Sequence, residues 1–255
     1  MRSRRNFLKI SGACLLGLGV KPVFDAFAQS DRPRIVPNPN ALKAGRWAMV
    51  VDMKKCEEGC RDCIDACHQA HNIPEMLENT KEEVKWIWDE PYEHVFPSVE
   101  HEFLAETLEH KPFMVLCNHC DNPPCVRVCP VQATWKREDG IVMMDFHRCI
   151  GCRCCMAACP YGSRSFNWTD PRPYILEINP DFPTRTMGVA EKCNFCVERL
   201  SKGLPPACVE SCSHGVLTFG DLNDPDSEVR RLLTEHFTVQ RKPELGTKPR
   251  VYYIV

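Results

Sequence analysis

Eighteen cysteines in 255 residues are the groups in this chain best suited to chemistry, and sixteen of them fall into four sets of four. The sets are Cys56, Cys60, Cys63, Cys67; Cys117, Cys120, Cys125, Cys129; Cys149, Cys152, Cys155, Cys159; and Cys193, Cys196, Cys208, Cys212. Only Cys14 and Cys154 are left over. Every set contains C-x2-C and closes with C-x3-C. That spacing lets three thiolates of one tight loop grip one inorganic cluster, while the fourth, expected to open a helix, is carried away from it. In proteins with two such clusters the fourth cysteine of a run ligates the neighbouring cluster.

The third set, Cys149-x2-Cys152-x2-Cys155-x3-Cys159 followed by Pro160, is the bacterial ferredoxin run without a gap. The second set lengthens one loop by two residues, and the fourth has eleven residues between Cys196 and Cys208. Loops lengthen at small entropic cost, so both remain competent to hold a cluster. The first set is irregular: Cys56-Glu57-Glu58-Gly59-Cys60 has three residues where two are usual. Counting back from Cys159 assigns Cys155 as the third ligand and leaves Cys154 as a small buried thiol.

Disulfides are a distant second reading, because an exported chain can oxidise its thiols. Zinc ribbons also use paired C-x2-C, but they do not need the closing C-x3-C four times over. The count argues against covalent haem, the third reading, since Cys63-Ile64-Asp65-Ala66-Cys67-His68 is C-x3-C-H and haem attachment reads C-x2-C-H. His68, His119 and His147 read as packing residues or as neighbours of ligands. Arg148, Arg153 and Lys192 stand beside cysteines, where a positive charge raises a cluster's potential.

Short elements must position these loops. Residues 46–52 and 113–116 read as strands leading into the first and second sets. Residues 133–136 and 141–145 flank a turn at Glu138-Asp139-Gly140, a hairpin signal. Strands are expected at 216–219 and 250–254, and a helix from its cap at Ser227 to about His236. Within a long insertion at 74–111, residues 82–88 are expected to be helical, and Trp86, Trp88 and Phe96 belong to the core or to a docking face. The fold class is α+β: two tandem ferredoxin-like dicluster modules with β-hairpins, short helices and long loop insertions. Metal ligation supplies folding free energy to modules with little room for a core.

Ser3-Arg4-Arg5-Asn6-Phe7-Leu8-Lys9, an apolar run at 10–20 and Ala26-Phe27-Ala28 read as a twin-arginine signal peptide over 1–28. That route moves folded proteins, which suits a cofactor inserted before export to the periplasmic or extracytoplasmic face. An extended arm follows at 29–45. Without 1–28 the chain has 27 basic and 33 acidic residues, a net charge of −6, which gives no support to nucleic-acid binding. No later stretch has the apolar length of a transmembrane helix, so membrane association is expected through partners. No G-x-G-x-x-G or Walker-type phosphate loop occurs, and no set of His and acidic residues has catalytic spacing. The expectation is a non-catalytic subunit.

Asn118-His119-Cys120-Asp121-Asn122-Pro123-Pro124-Cys125 and the four-motif layout resemble the iron–sulfur subunits of the polysulfide and dimethyl sulfoxide reductase type. Met49-Val50-Val51-Asp52, Met143-Met144-Asp145-Phe146-His147-Arg148-Cys149, Ser163-Arg164-Ser165-Phe166-Asn167-Trp168 and Val251-Tyr252-Tyr253-Ile254-Val255 more narrowly resemble the DsrO family. These are the exported ferredoxin-like subunits of DsrMKJOP membrane complexes in sulfur-metabolising prokaryotes. The resemblance implies four [4Fe-4S] clusters and electron transfer between a polytopic quinone-reactive membrane subunit and a multihaem cytochrome c. It implies that motifs one and four share one pair of clusters, in an outer module of 46–111 and 190–222. Motifs two and three would share another in an inner module of 112–168, with 223–255 a terminal helix and strand. The implied ligand sets are Cys56, Cys60, Cys63 with Cys212; Cys193, Cys196, Cys208 with Cys67; Cys117, Cys120, Cys125 with Cys159; and Cys149, Cys152, Cys155 with Cys129. Spacing by itself equally allows adjacent motifs to pair. The rival functions are the companion of an exported molybdopterin oxidoreductase and a zinc-stapled interaction protein.

Overall fold

Trp47–Asp52 is a run of six residues that all lie out of solvent, and it becomes an inner strand around which the other elements gather. The computed structural model describes residues 38–75, 82–98, 103 and 111–255. The signal peptide, most of the arm at 29–45 and part of the insertion at 74–111 lie outside the described residues. In the unit Asn40–Val255 the elements in chain order are β1 (Trp47–Asp52), α1 (Asp62–His71), β2 (Ile87–Pro91), α2 (Tyr92–Val95), β3 (Pro112–Leu116), α3 (Pro124–Arg127), β4 (Thr134–Lys136), β5 (Val142–Met144), α4 (Cys154–Ala157), β6 (Ser165–Phe166), β7 (Ala190–Glu191), α5 (Val197–Leu200), α6 (Ala207–Ser211), β8 (Leu217–Asp221), α7 (Glu228–Glu235), β9 (Thr238–Val239) and β10 (Val251–Ile254).

The principal sheet has the order β8-β1-β10-β9. β1 runs parallel to β10, with Met49 opposite Val251, and antiparallel to β8, with Trp47 opposite Asp221. A strand covered on both faces is apolar throughout rather than alternating, as Trp-Ala-Met-Val-Val is here. Met49, Val51 and Tyr253 join a core that includes Tyr92, Phe96 and Phe113. Ala48, Val50 and Ile254 pack instead with Val229 and Leu232 of α7. Ser227 caps α7, its hydroxyl accepting from the Arg230 N–H at 3.3 Å.

The expected strands and terminal helix are present as β1, β3, β8, β10 and α7, and the expected hairpin as β4 and β5, paired with Thr134 opposite Met144. Its turn needs glycine: Gly140 has φ +85°, and a Cβ there would run into the Arg250 guanidinium. That guanidinium and Arg46 both pair with Asp121, next to Cys120.

The helix expected at 82–88 is corrected. Its last two residues begin β2, which pairs antiparallel with β3, Ile87 opposite Leu116. Val84, Trp86, Ile87 and Trp88 are all buried. The acids at 82 and 83 favour a helix locally, but pairing with β3 hides more apolar surface than an isolated turn of helix would. Trp86, Trp88 and Phe96 are accordingly core residues rather than a docking face.

A buried ion pair ties β7 to the end of α1. The Arg185 Nε donates to Glu191 Oε2 at 2.7 Å, and both side chains are fully excluded from solvent. Arg185 also donates to the His71 carbonyl and, at 2.8 Å, to that of Asn72. Glu191 accepts from the Trp86 indole at 3.0 Å and from Asn167.

Candidate metal centres

One local rule positions all four motifs. Cys63, Cys125, Cys155 and Cys208 are each the second residue of a helix, α1, α3, α4 and α6, and the closing cysteine lies four residues further on. In α1, which contains both Cys63 and Cys67, four residues is about one helical turn and the two thiols leave the same side; Cys129, Cys159 and Cys212 lie just past the ends of α3, α4 and α6. This corrects the expectation that the fourth cysteine opens a helix: the third does so. The turn before α4 uses strained backbone, with φ of 60° at Arg153, and so does the turn at the second ligand of motif four, with φ of 50° at Cys196.

The thiols gather across motifs. Burial pushes Cys63 up to about 12, followed by Asp89 and then by Cys56, Cys212 and Cys60. Burial also raises Cys67, followed by Cys196, Cys193 and Cys208. Cys120 is pushed up to about 12 by burial and then by Cys117, with Cys125 and Cys159 also close. Cys155 is raised by burial and has Cys125 and Cys149 as its thiol neighbours. Cys129 lies within electrostatic reach of the exposed Cys154 on α4. Motif one thus meets motif four, and motif two meets motif three. Links also run between groups: Cys208 faces Cys63, Cys125 faces Cys155, and Cys193, pushed up to about 12 by burial, faces Cys117 next. The groups form a series from Cys56 through Cys193 and Cys117 to Cys149.

The residues fit an anionic metal cluster. None of the seventeen described cysteines is in a disulfide. Backbone N–H groups point at sulfur: Ala133 to Cys129 at 3.2 Å, Phe195 to Cys193 at 3.4 Å, Ala207 to Cys196 at 3.4 Å and Val216 to Cys212 at 3.3 Å. Such donors stabilise charge on sulfur. Arg164 is buried at 4% exposure, its Nε has no partner, and it lines one cavity with Cys117, Cys120, Cys125 and Cys159. A buried guanidinium without a carboxylate calls for negative charge nearby. Raised thiols discharge their protons when metal binds.

Cys154 is exposed, not buried as expected. It is the first residue of α4 and turns outward, while Cys155 enters the position that Cys63, Cys125 and Cys208 hold in their helices. Cys154→Ser is therefore expected to leave iron and acid-labile sulfide per chain at the parent value. A loss of about four irons, one cubane, would exchange the roles of the two cysteines.

The other neighbours separate by burial. Arg148, Arg153 and His147 are exposed. Lys192 is buried, and its ammonium donates to the carbonyls of Val142 and, at 2.6 Å, Cys193. His119 is fully buried, accepts from the Val142 N–H at 3.0 Å and stacks on Phe195 with centroids 3.7 Å apart. His68 is half-buried, 3.8 Å from Glu75. Three residues escape sequence reasoning. Asp89 brings negative charge to Cys63 and Cys56. His71 Nδ1 lies 3.6 Å from the Cys67 sulfur and its Nε2 2.7 Å from Glu198. Arg164 has no local mark of a role and stands in the sequence only within a resembling block. For His71 the signal is present, four residues after Cys67 on one helix; Asp89 and Arg164 arrive through tertiary packing.

The described residues contain no helix long and apolar enough to cross a membrane. A family model described as a 4Fe-4S dicluster domain matches residues 109–172 and 178–222. The chain is 39% identical to the Hdr-like menaquinol oxidoreductase iron-sulfur subunit 1 of Archaeoglobus fulgidus, over 99% of this chain and 98% of that one. It is 37% identical to a tetrathionate reductase subunit of Salmonella typhimurium, over 99% of this chain and 88% of that one. It is 36% identical to the iron-sulfur cluster-binding subunit of menaquinone reductase from Nitratidesulfovibrio vulgaris, over 82% of this chain and 88% of that one.

Proposed function

We propose that this chain, which belongs to the 4Fe-4S electron-transfer subunit family of oxidoreductase complexes, is the electron wire between a quinone-reactive membrane subunit and a multihaem cytochrome c in a DsrMKJOP-type complex. Members of the family carry multiple [4Fe-4S] clusters, and so does this chain. Each such cluster takes up and releases one electron at a time. The proposed number is four, with ligands Cys56, Cys60, Cys63 and Cys212; Cys193, Cys196, Cys208 and Cys67; Cys117, Cys120, Cys125 and Cys159; and Cys149, Cys152, Cys155 and Cys129. The observation that carries this reading is the unbroken series of thiol groups, in which Cys193 and Cys117 bring the two motif pairs within electrostatic reach of each other.

The chain's own residues insulate and tune that path. Buried aromatic and aliphatic side chains keep water from the thiols of Cys67, Cys193 and Cys208, and backbone N–H groups hold sulfur charge at four points along it. Relatives named as iron-sulfur subunits of larger oxidoreductases support the reading of a non-catalytic subunit. The twin-arginine start and the narrow sequence blocks favour an exported location on the outer face of the membrane. The relative named for menaquinol oxidation favours a quinone partner. The relative named for tetrathionate reduction favours the second reading, the companion of a molybdopterin enzyme.

Anaerobic isolation of the native complex tests both. About sixteen irons and as many sulfides in this subunit, the content of four cubanes, are expected, with co-purifying c-type haem. Pterin in place of haem would establish the second reading. Zinc without sulfide would overturn both.

A further inference from the structure

Arg164 stands where motifs two and three meet. One edge of its guanidinium is anchored, with Nη2 donating to Thr134 Oγ1 at 2.8 Å and Nη1 directed at the Met144 sulfur at 3.6 Å. Its Nε is buried and unpartnered, and no carboxylate pairs with it among the described residues. Cys117 and Cys125 line one cavity with it, and Cys155 lies within its electrostatic reach. Cys125 and Cys117 belong to one proposed ligand set and Cys155 to the next, so a single fixed charge is shared between two sets. At the other end of the series the opposite sign lies at the surface: exposed Asp89 is within electrostatic reach of Cys63 and Cys56.

We propose that Arg164 is a positioning residue for electron transfer, a shared counter-charge that raises the reduction potentials of the motif-two and motif-three groups together and sets them above the group beside Asp89. The inference rests on the cluster-bearing reading of the thiol sets. The physical reason is that each reduction adds one negative charge within reach of the guanidinium, so the reduced form gains more than the oxidised form. One electron enters on one side of Arg164 and one leaves on the other, with no bond made or broken and no proton moved. The charge differs in kind from those of Arg148 and Arg153, which solvent screens.

The test compares parent, Arg164→Gln and Arg164→Lys in the anaerobically isolated complex, by iron and sulfide content and by EPR-monitored redox titration. The parent's iron count judges the cluster-bearing reading by itself, before any variant is considered. With that established, Arg164→Gln is expected to keep its iron and to lower the potentials of two clusters only. The expected size is at least tenfold in the ratio of reduced to oxidised form at a fixed potential, about 59 mV for one electron. Arg164→Lys, which keeps the charge but not the fork, is expected to restore most of that shift. Unmoved potentials at full iron content would overturn the proposal, as would an equal shift at all clusters. Should Arg164→Gln lose iron, Arg164→Lys decides: full iron with two potentials near the parent values supports a charge role, and iron loss in both variants makes the guanidinium merely structural.

Discussion

Cys193→Ser is expected to remove about four of sixteen irons, the content of one cubane, and to stop electron flow through the subunit while both ends of the series stay loaded. Cys193 is buried and holds the central place. It faces Cys117 of the motif-two group, while Cys67, Cys196 and Cys208 surround it on its own side. Its sulfur accepts from the Phe195 N–H, and its carbonyl from the buried Lys192 ammonium. A serine hydroxyl cannot supply a soft thiolate there. Loss of an outer-shell partner alone costs roughly 10–100-fold in metal affinity or activity, and loss of a ligand at the junction is expected to exceed that. Cys56→Ser provides the contrast, because it removes a ligand from one end. The measurement is quinol-dependent reduction of the downstream acceptor by the isolated complex, with iron counted in the same sample. Undiminished flow in Cys193→Ser, at about twelve irons, would mean that electrons do not pass through the groups in series.

The second large effect is on stability. Arg185→Met is expected to cost about 3–5 kcal/mol, the range for removing one partner of a buried ion pair. Glu191 would be left at zero exposure without its counter-charge, with only the Trp86 indole and Asn167 to satisfy it. The carbonyls of His71, Asn72 and, at 3.0 Å, Pro183 would lose their donor as well. The charge also rests among the rings of Trp86 and Phe182, each 5.7 Å from the guanidinium carbon. A double variant, Arg185→Met with Glu191→Gln, is expected to recover part of the loss, because the uncompensated charge is then gone. Anaerobic denaturant unfolding of the cluster-loaded protein reads both variants. A loss below about 1 kcal/mol in the single variant, the range typical of exposed pairs, would show that water reaches Glu191.

The hairpin of β4 and β5 is legible in the sequence because its turn is local: Gly140 takes the positive φ at no steric cost, whatever packs around it. The cap at Ser227 is legible for the same reason. The segment at 82–88 is not. Its local composition argues for a helix, and only the partner strand β3, roughly 30 residues on, makes Ile87 and Trp88 a strand. Cys154 shows the same division within a single loop. Counting distinguishes it from Cys155, but the direction of its side chain depends on where α4 begins.

The sequence by itself determined which thiols could act, how they divide into four sets, and the local turns and strands that present them. Cysteine spacing is a constraint over a few residues, and the backbone obeys it almost independently of context. Only the tertiary structure decided which sets face each other. Cys63 and Cys212 are separated by roughly 150 residues of chain, and the pairing of β1 with β8 and β10 brings their neighbourhoods together. It also decided where the charges lie, with exposed Asp89 at one end of the series and buried Arg164 between the motif-two and motif-three groups. Burial and charge placement are properties of the packed core, in which each charge acts on whatever the long-range pairings have brought beside it.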